Sequence, residues 1–168
     1  MKNAKKVVQL LSRHQLKIAF AESCTGGLLA VHITSIPGSS KVLDLAVVTY
    51  ANFAKTSILG VSEHTLFTYG AVSAQTAKEM VIGLKNISLA NICISVTGIA
   101  GPGGGTTEKP VGMVYIGYDL LGKIEIEQKL FMGSRKNIRQ QTTEHIFKKI
   151  LVDIKNNVFY NSINRTYV

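Results

Sequence analysis

Three stretches of this chain gather hydroxyl, thiol, amine and glycine residues where a strand should give way to a turn. The first, Glu22-Ser23-Cys24-Thr25-Gly26-Gly27, follows the apolar run Lys17-Ile18-Ala19-Phe20. Serine or threonine at a helix start accepts a bond from an orphan backbone N–H, and glycine lets the chain turn tightly. The same geometry suits chemistry, because free N–H groups and the positive end of a helix stabilise a phosphate or a developing oxyanion. The stretch therefore reads either as a helix cap or as a nucleophile placed at the positive end of a helix. Cys24 has no histidine in a recognisable pairing and reads as a small buried residue rather than a thiolate.

The second stretch is Thr49-Tyr50-Ala51-Asn52 with Lys55. A lysine on a helix is ordinarily solvated. Its sharper role is general base, which requires desolvation or a neighbouring cation to bring its pKa towards neutrality. A tyrosine beside such a lysine can relay a proton or orient the nucleophile. The third stretch, Thr97-Gly98-Ile99-Ala100-Gly101-Pro102-Gly103-Gly104-Gly105 with Lys109-Pro110, matches neither dinucleotide nor Walker glycine patterns, since it leads into a strand rather than a helix. It reads as a long hairpin loop, or as backbone that must approach a ligand closely.

These stretches need elements to hold them. Ala4, Val7, Val8 and Leu11 give residues 2–14 one apolar helical face. Residues 17–22 read as a buried strand and 25–36 as a helix stopped by Pro37-Gly38. A strand over 42–50, a short helix over 52–59 and a loop region follow, with Ser73 capping a helix over 74–86. Residues 91–96 form a strand of β-branched type, 111–118 and 123–131 a hairpin turning at Leu121-Gly122, and 134–154 a long helix capped by Ser134. The pattern predicts a mixed, mostly parallel sheet with helices on both faces, a three-layer α/β/α arrangement with an antiparallel hairpin near its C-terminal end. All three chemical stretches follow strand carboxyl ends, where open α/β sheets collect ligands, so they are expected to converge on one cleft.

The 168 residues carry a formal charge of +9, but residues 18–122 hold five lysines against six acidic residues. The basic excess lies in the terminal helices and reads as solvated helix faces, which argues against a nucleic-acid partner. Two scattered cysteines, no apolar run long enough for a membrane span and no signal-like start point to a reduced, cytoplasmic setting. One domain is expected over residues 1–155, followed by an aperiodic tail over 156–168.

Taken together, ESCTGG (22–27), PGSS (37–40), VTYAN..K (48–55), GVS..TL (60–66), GAVS (70–73), S.TGIAGPGGG (95–105) and KPVG (109–112) closely resemble the CinA C-terminal domain family, over roughly residues 5–152. The family includes stand-alone nicotinamide-nucleotide amidases. The resemblance implies hydrolysis of nicotinamide mononucleotide to nicotinic acid mononucleotide and ammonia, with no metal and no other cofactor. Ser23 would be the nucleophile, Lys55 its base and Tyr50 an assistant, with Thr97 and Gly98 beside the reacting amide. The turn Cys24-Thr25-Gly26-Gly27 would contact the substrate, and N–H groups near Cys24 or Gly98 would hold the oxyanion. Ser39, Ser40, Asn52 and the loop glycines Gly101, Gly103, Gly104 and Gly105 would bind the nucleotide, and Arg139 its phosphate.

Three positions depart from the family pattern: Ala51 replaces the usual Ser, Tyr69 the usual His, and Ser134 a common acid. None removes Ser23, Tyr50 or Lys55, so activity is expected, in a homo-oligomer without a membrane partner. Two other readings stay open. One is a catalytically silent module that binds a pyridine nucleotide; the other is a basic competence-related protein associated with DNA.

Overall fold

A computed structural model describes the backbone of residues 2–164 and the side chains of residues 2–156. Five strands form one sheet: β1 (Ile18–Glu22), β2 (Leu43–Val48), β3 (Ile92–Gly98), β4 (Met113–Leu120) and β5 (Lys123–Leu130), in the order β2-β1-β3-β4-β5. β1 runs parallel to both β2 and β3, whereas β4 and β5 add antiparallel strands beyond β3. The expected mixed, mostly parallel sheet with an antiparallel hairpin near the C-terminal end is the one observed. In that hairpin Leu121 and Gly122 both adopt left-handed φ, and Asp119 Oδ1 accepts a bond from Gly122 N.

Alternation along the central strands sends side chains to two cores. Ile18 and Phe20 face one core with Ile92, Ile94 and Val96, while Ala19, Ala21 and Cys93 face the other. The first core is closed by α1 (Lys2–Arg13), α2 (Leu28–Thr34) and α6 (Arg135–Asn164) through Leu11, Leu29, Ile33, Ile146 and Phe147. The second is closed by α3 (Asn52–Leu59) and α5 (Ala74–Ile87), through Leu59, Met80, Val81 and Leu84, with α4 (Glu63–Tyr69) resting on α5. The small residues Ser95 and Gly117 let α5 lie close on the sheet, and Ser95 Oγ donates to Ala77 O at 2.6 Å.

This division creates the cleft. The chain leaves β1 into α2 on one face and leaves the neighbouring strand β2 into α3 on the other. The strand order reverses between β1 and β3, whose carboxyl ends flank the switch point where open α/β sheets place ligands, with the end of β2 next to that of β1.

Three expectations are corrected. α2 starts at Leu28, because Cys24 to Gly27 form a turn in which Gly26 (φ 60°) and Gly27 (φ 89°) are left-handed. Residues 63–69, read as loop, form α4; it buries only Thr65, so it leaves no apolar period in the sequence. α6 runs on to Asn164, past the expected end at 154, so residues 156–164 of the supposed tail have helical backbone and 165–168 lie outside the described residues. No helix among the described residues is long and apolar enough to cross a membrane.

Candidate active site

Ser23 is the first residue after β1 and is 8% exposed. Its N–H donates to Val96 O on β3 at 3.0 Å, and the preceding carbonyl, Glu22 O, accepts from Thr49 N at 2.8 Å. The strand end is thus pinned from both sides just where the turn begins. Neither Ser23 nor Thr25 caps α2. The cap is the Glu22 carboxylate, which accepts Leu29 N at 3.1 Å and Ala30 N at 3.0 Å. The positive end of α2 is therefore occupied by the chain itself. The donors left for an oxyanion are in the turn: Cys24 and Gly27 N–H donate to no oxygen among the described residues.

Lys55 lies on α3 with Leu59 one turn further on, and both face inward. It is only 1% exposed, which overturns the ordinary picture of a solvated helix lysine. Its Nζ donates to Thr49 O at 2.8 Å and Tyr50 O at 3.1 Å, and lies 3.3 Å from Ser23 Oγ. Burial pushes the amine's pKa below the ordinary lysine value, and outweighs the opposing contribution from Cys24. The geometry fits the neutral amine. Two N–H groups satisfy the two carbonyls, and the lone pair is left for the serine proton.

The other candidates divide by what holds them. Cys24 is buried and its thiol is pushed up to about 12 by burial, so it is not a thiolate near neutrality and its side chain is closed to substrate. Thr25 is fully buried too, backbone included, and its carbonyl is taken by Arg139. Thr97 Oγ1 donates to Ala71 O at 2.6 Å, so it secures the loop before α5. What reaches Lys55 from Tyr50 is the carbonyl; the side chain is 58% exposed and its hydroxyl accepts from Arg135 Nη2 at 3.0 Å.

Arg135 was not among the candidates, yet its Nη1 also donates to Gly101 O at 3.0 Å. It joins the strand-end tyrosine to the glycine loop. A cation in the first turn of a helix opposes the helix dipole, and that mismatch was the available sequence signal. Arg139 donates through Nε and Nη2 to Thr25 O at 3.1 and 2.6 Å, clamping the turn after Ser23, and its guanidinium lies against Gly26.

The glycine loop is mostly shaped by its own packing. A Cβ on Gly98 would meet Met113 O and Val114, and one on Gly105 would meet the Val111 backbone. Gly101 is left-handed and sits on the Val111 side chain. Of the loop glycines, only Gly103 and Gly104 front open space: a Cβ on Gly103 would meet nothing, and one on Gly104 only the Ile99 side chain at 3.9 Å. Asn52 is exposed at the start of α3.

Ser39 and Ser40 do not join the site. They form a 3₁₀ turn before β2, which pairs Leu43 with Ile18 at one end and Val48 with Glu22 at the other. They sit at the amino end of the strand, about 17 Å of strand away from Ser23. Both serines precede the strand read over residues 42–50, and the parallel pairing of β2 with β1 fixes that end as the one away from Ser23.

The model of the CinA C-terminal domain matches residues 1–153. The chain belongs to the CinA C-terminal domain family. This CinA domain is 48% identical over 152 residues to a protein of Thermoanaerobacter pseudethanolicus that bears the name competence-damage inducible protein, covering 89% of the chain and 37% of the relative. It is 50% identical over 135 residues to a Moorella thermoacetica protein of the same name, covering 80% of the chain and 33% of that relative. The CinA domain thus spans about a third of the length of these curated relatives. Among solved structures it superposes on the competence/damage inducible protein CihA of Agrobacterium tumefaciens with a TM-score of 0.87, at 41% identity, covering 90% of this chain and 93% of that one. A CinA superfamily protein of Escherichia coli gives 0.84 at 31% identity, covering 89% and 87%. Among the described residues of the CinA domain, no three His, Cys, Asp or Glu side chains are grouped so that they could hold a metal ion.

Proposed function

We propose that this domain is a serine amidohydrolase that converts nicotinamide mononucleotide to nicotinic acid mononucleotide and ammonia. The observation that carries the reading is the buried Lys55 amine 3.3 Å from Ser23 Oγ, held there by two backbone carbonyls. Lys55 takes the proton as Ser23 Oγ attacks the carboxamide carbon, and the oxyanion is received by N–H groups of the Cys24–Gly27 turn. Lys55 then returns the proton to the leaving nitrogen, which departs as ammonia and leaves an acyl-serine. A water molecule, deprotonated by the same amine, attacks the ester carbon; Ser23 recovers its proton and the carboxylate is released. A positioned general base of this kind contributes about 10²–10⁴-fold, and one oxyanion donor about 10²–10³-fold.

The choice of nucleotide substrate rests on the family resemblance. The cations Arg135 and Arg139 and the open backbone at Gly103 and Gly104 lie around the mouth and suit an anionic substrate. The test is ammonia release from nicotinamide mononucleotide by the purified protein. Ser23→Ala is expected to abolish release while leaving the melting temperature near that of the parent. Wild-type turnover by that variant would remove the nucleophile assignment, and no release by the parent would remove the substrate.

A further inference from the structure

Glu22 is buried to 1% exposure, and among the described residues no lysine or arginine forms an ion pair with it. An isolated buried carboxylate is costly, so its partners must compensate it. They are the Leu29 and Ala30 N–H groups, each bonded to a different carboxylate oxygen. The countercharge is the positive end of α2.

The bonds close a ring. Glu22 ends β1, and its carboxylate reaches forward to the first turn of α2, so residues 23–28 are tied at both ends. Ser23 lies inside that ring, next to the residue that closes it. Its amine partner is fixed from elsewhere, by Thr49 O and Tyr50 O at the end of β2. The relative placement of hydroxyl and amine depends on how firmly the turn is held to the sheet. Two left-handed glycines, Gly26 and Gly27, give that turn freedom that a neighbouring constraint must remove.

We propose that Glu22 is the positioning residue of the nucleophile: its carboxylate clasps the start of α2 and thereby holds Ser23 Oγ against Lys55. The inference rests on the Ser23–Lys55 reading and concerns geometry, not proton transfer by Glu22. Gln in its place presents one oxygen and one NH2 group to two N–H donors, so one donor is lost and a donor is set against a donor. Ala30→Pro cuts the clasp from the other side. It removes a single N–H within the first helical turn, where proline is tolerated, and leaves the carboxylate intact.

The experiment measures the rate at which an alkyl fluorophosphonate labels Ser23, followed by mass spectrometry across pH. In this reaction Ser23 Oγ bonds to phosphorus, fluoride leaves, and the serine proton passes to Lys55, so no natural substrate is needed. Both Glu22→Gln and Ala30→Pro are expected to label about a hundredfold more slowly while still melting cooperatively, the scale expected of a misplaced reacting atom. The pH at which labelling is half-maximal is expected to stay at the parent's value. Labelling at the parent's rate by a folded variant overturns the clasp, as does a shift of that midpoint, which would make Glu22 an electrostatic partner of Lys55. Where Glu22→Gln does not fold, Ala30→Pro decides alone. An unreactive Ser23 in the parent is a different failure: it removes the nucleophile itself, and the clasp with it.

Discussion

Lys55 Nζ and Ser23 Oγ stand 3.3 Å apart across the ends of two neighbouring parallel strands. The lysine belongs to a helix on one face of the sheet, and the serine leads into a helix on the other. Their meeting depends on two carbonyls, Thr49 O and Tyr50 O, which leave the amine one direction unspent.

Burial lowers the pKa of Lys55, and this sets the sign of the pH dependence. Below the lowered value the amine is protonated and has no lone pair for Ser23; above it the base is competent. Amidase kcat is expected to rise with pH through an acid limb that lies below the ordinary lysine value. Lys55→Arg, always charged, is expected to lose about 10²–10⁴-fold in kcat and to show no such limb. Stability moves the same way. Between the lowered value and the ordinary one the unfolded chain binds more protons, so stability rises with pH across that window. A kcat profile of Lys55→Arg that matches the parent would remove the lysine as base.

Cys24 adjoins Ser23, the proposed nucleophile, but its thiol is held up at about 12 by burial. Cys24→Ala is expected to keep turnover within about threefold of the parent, since a buried thiol of this kind acts as a small hydrophobe. Iodoacetamide is expected to leave the native enzyme active. Inactivation in step with modification of Cys24 would return the thiol to the mechanism.

Ala51 is the residue at the start of α3 and supplies no side-chain cap. A hydroxyl there can accept one of the orphan N–H groups of the helix that carries Lys55. Ala51→Ser is expected to stabilise the protein by about 1 kcal/mol, read as a rise in melting temperature of about 2–4 °C. An unchanged melting temperature would mean that solvent already satisfies those groups.

Gly83 on α5 faces the backbone of Leu59, and a Cβ there would collide with the Leu59 carbonyl. The contact sets how closely α3 packs on α5, and α3 carries Lys55, the proposed base. Gly83→Ala is expected to cost at least about 1–3 kcal/mol in denaturant unfolding and to reduce kcat more than a substitution of equal stability cost remote from α3. Stability and kcat at parental levels would show that α3 relaxes without moving Lys55.

Much of the architecture was readable because burial repeats with the geometry of each element. Ala4, Val7, Val8 and Leu11 marked one face of α1, the β-branched run of β3 marked a buried strand, and Leu121-Gly122 marked the hairpin of β4 and β5. α4 was not readable, since a seven-residue helix that buries one threonine has no apolar stripe. The site was readable as a set of residue types: Ser23, Lys55 and the glycine loop stand out because hydroxyl, amine and glycine follow strand ends.

What the sequence determined by itself was which groups are available and which elements carry them, because side-chain chemistry and local periodicity are properties of short segments. Only the tertiary structure decided how those groups are used. It buried Lys55, turned Glu22 into the cap of α2, sent Ser39 and Ser40 to the far end of the sheet and gave Arg135 its two partners. Each of those outcomes depends on strand order, register and the face a helix packs on, and these are fixed by contacts between residues far apart in the chain.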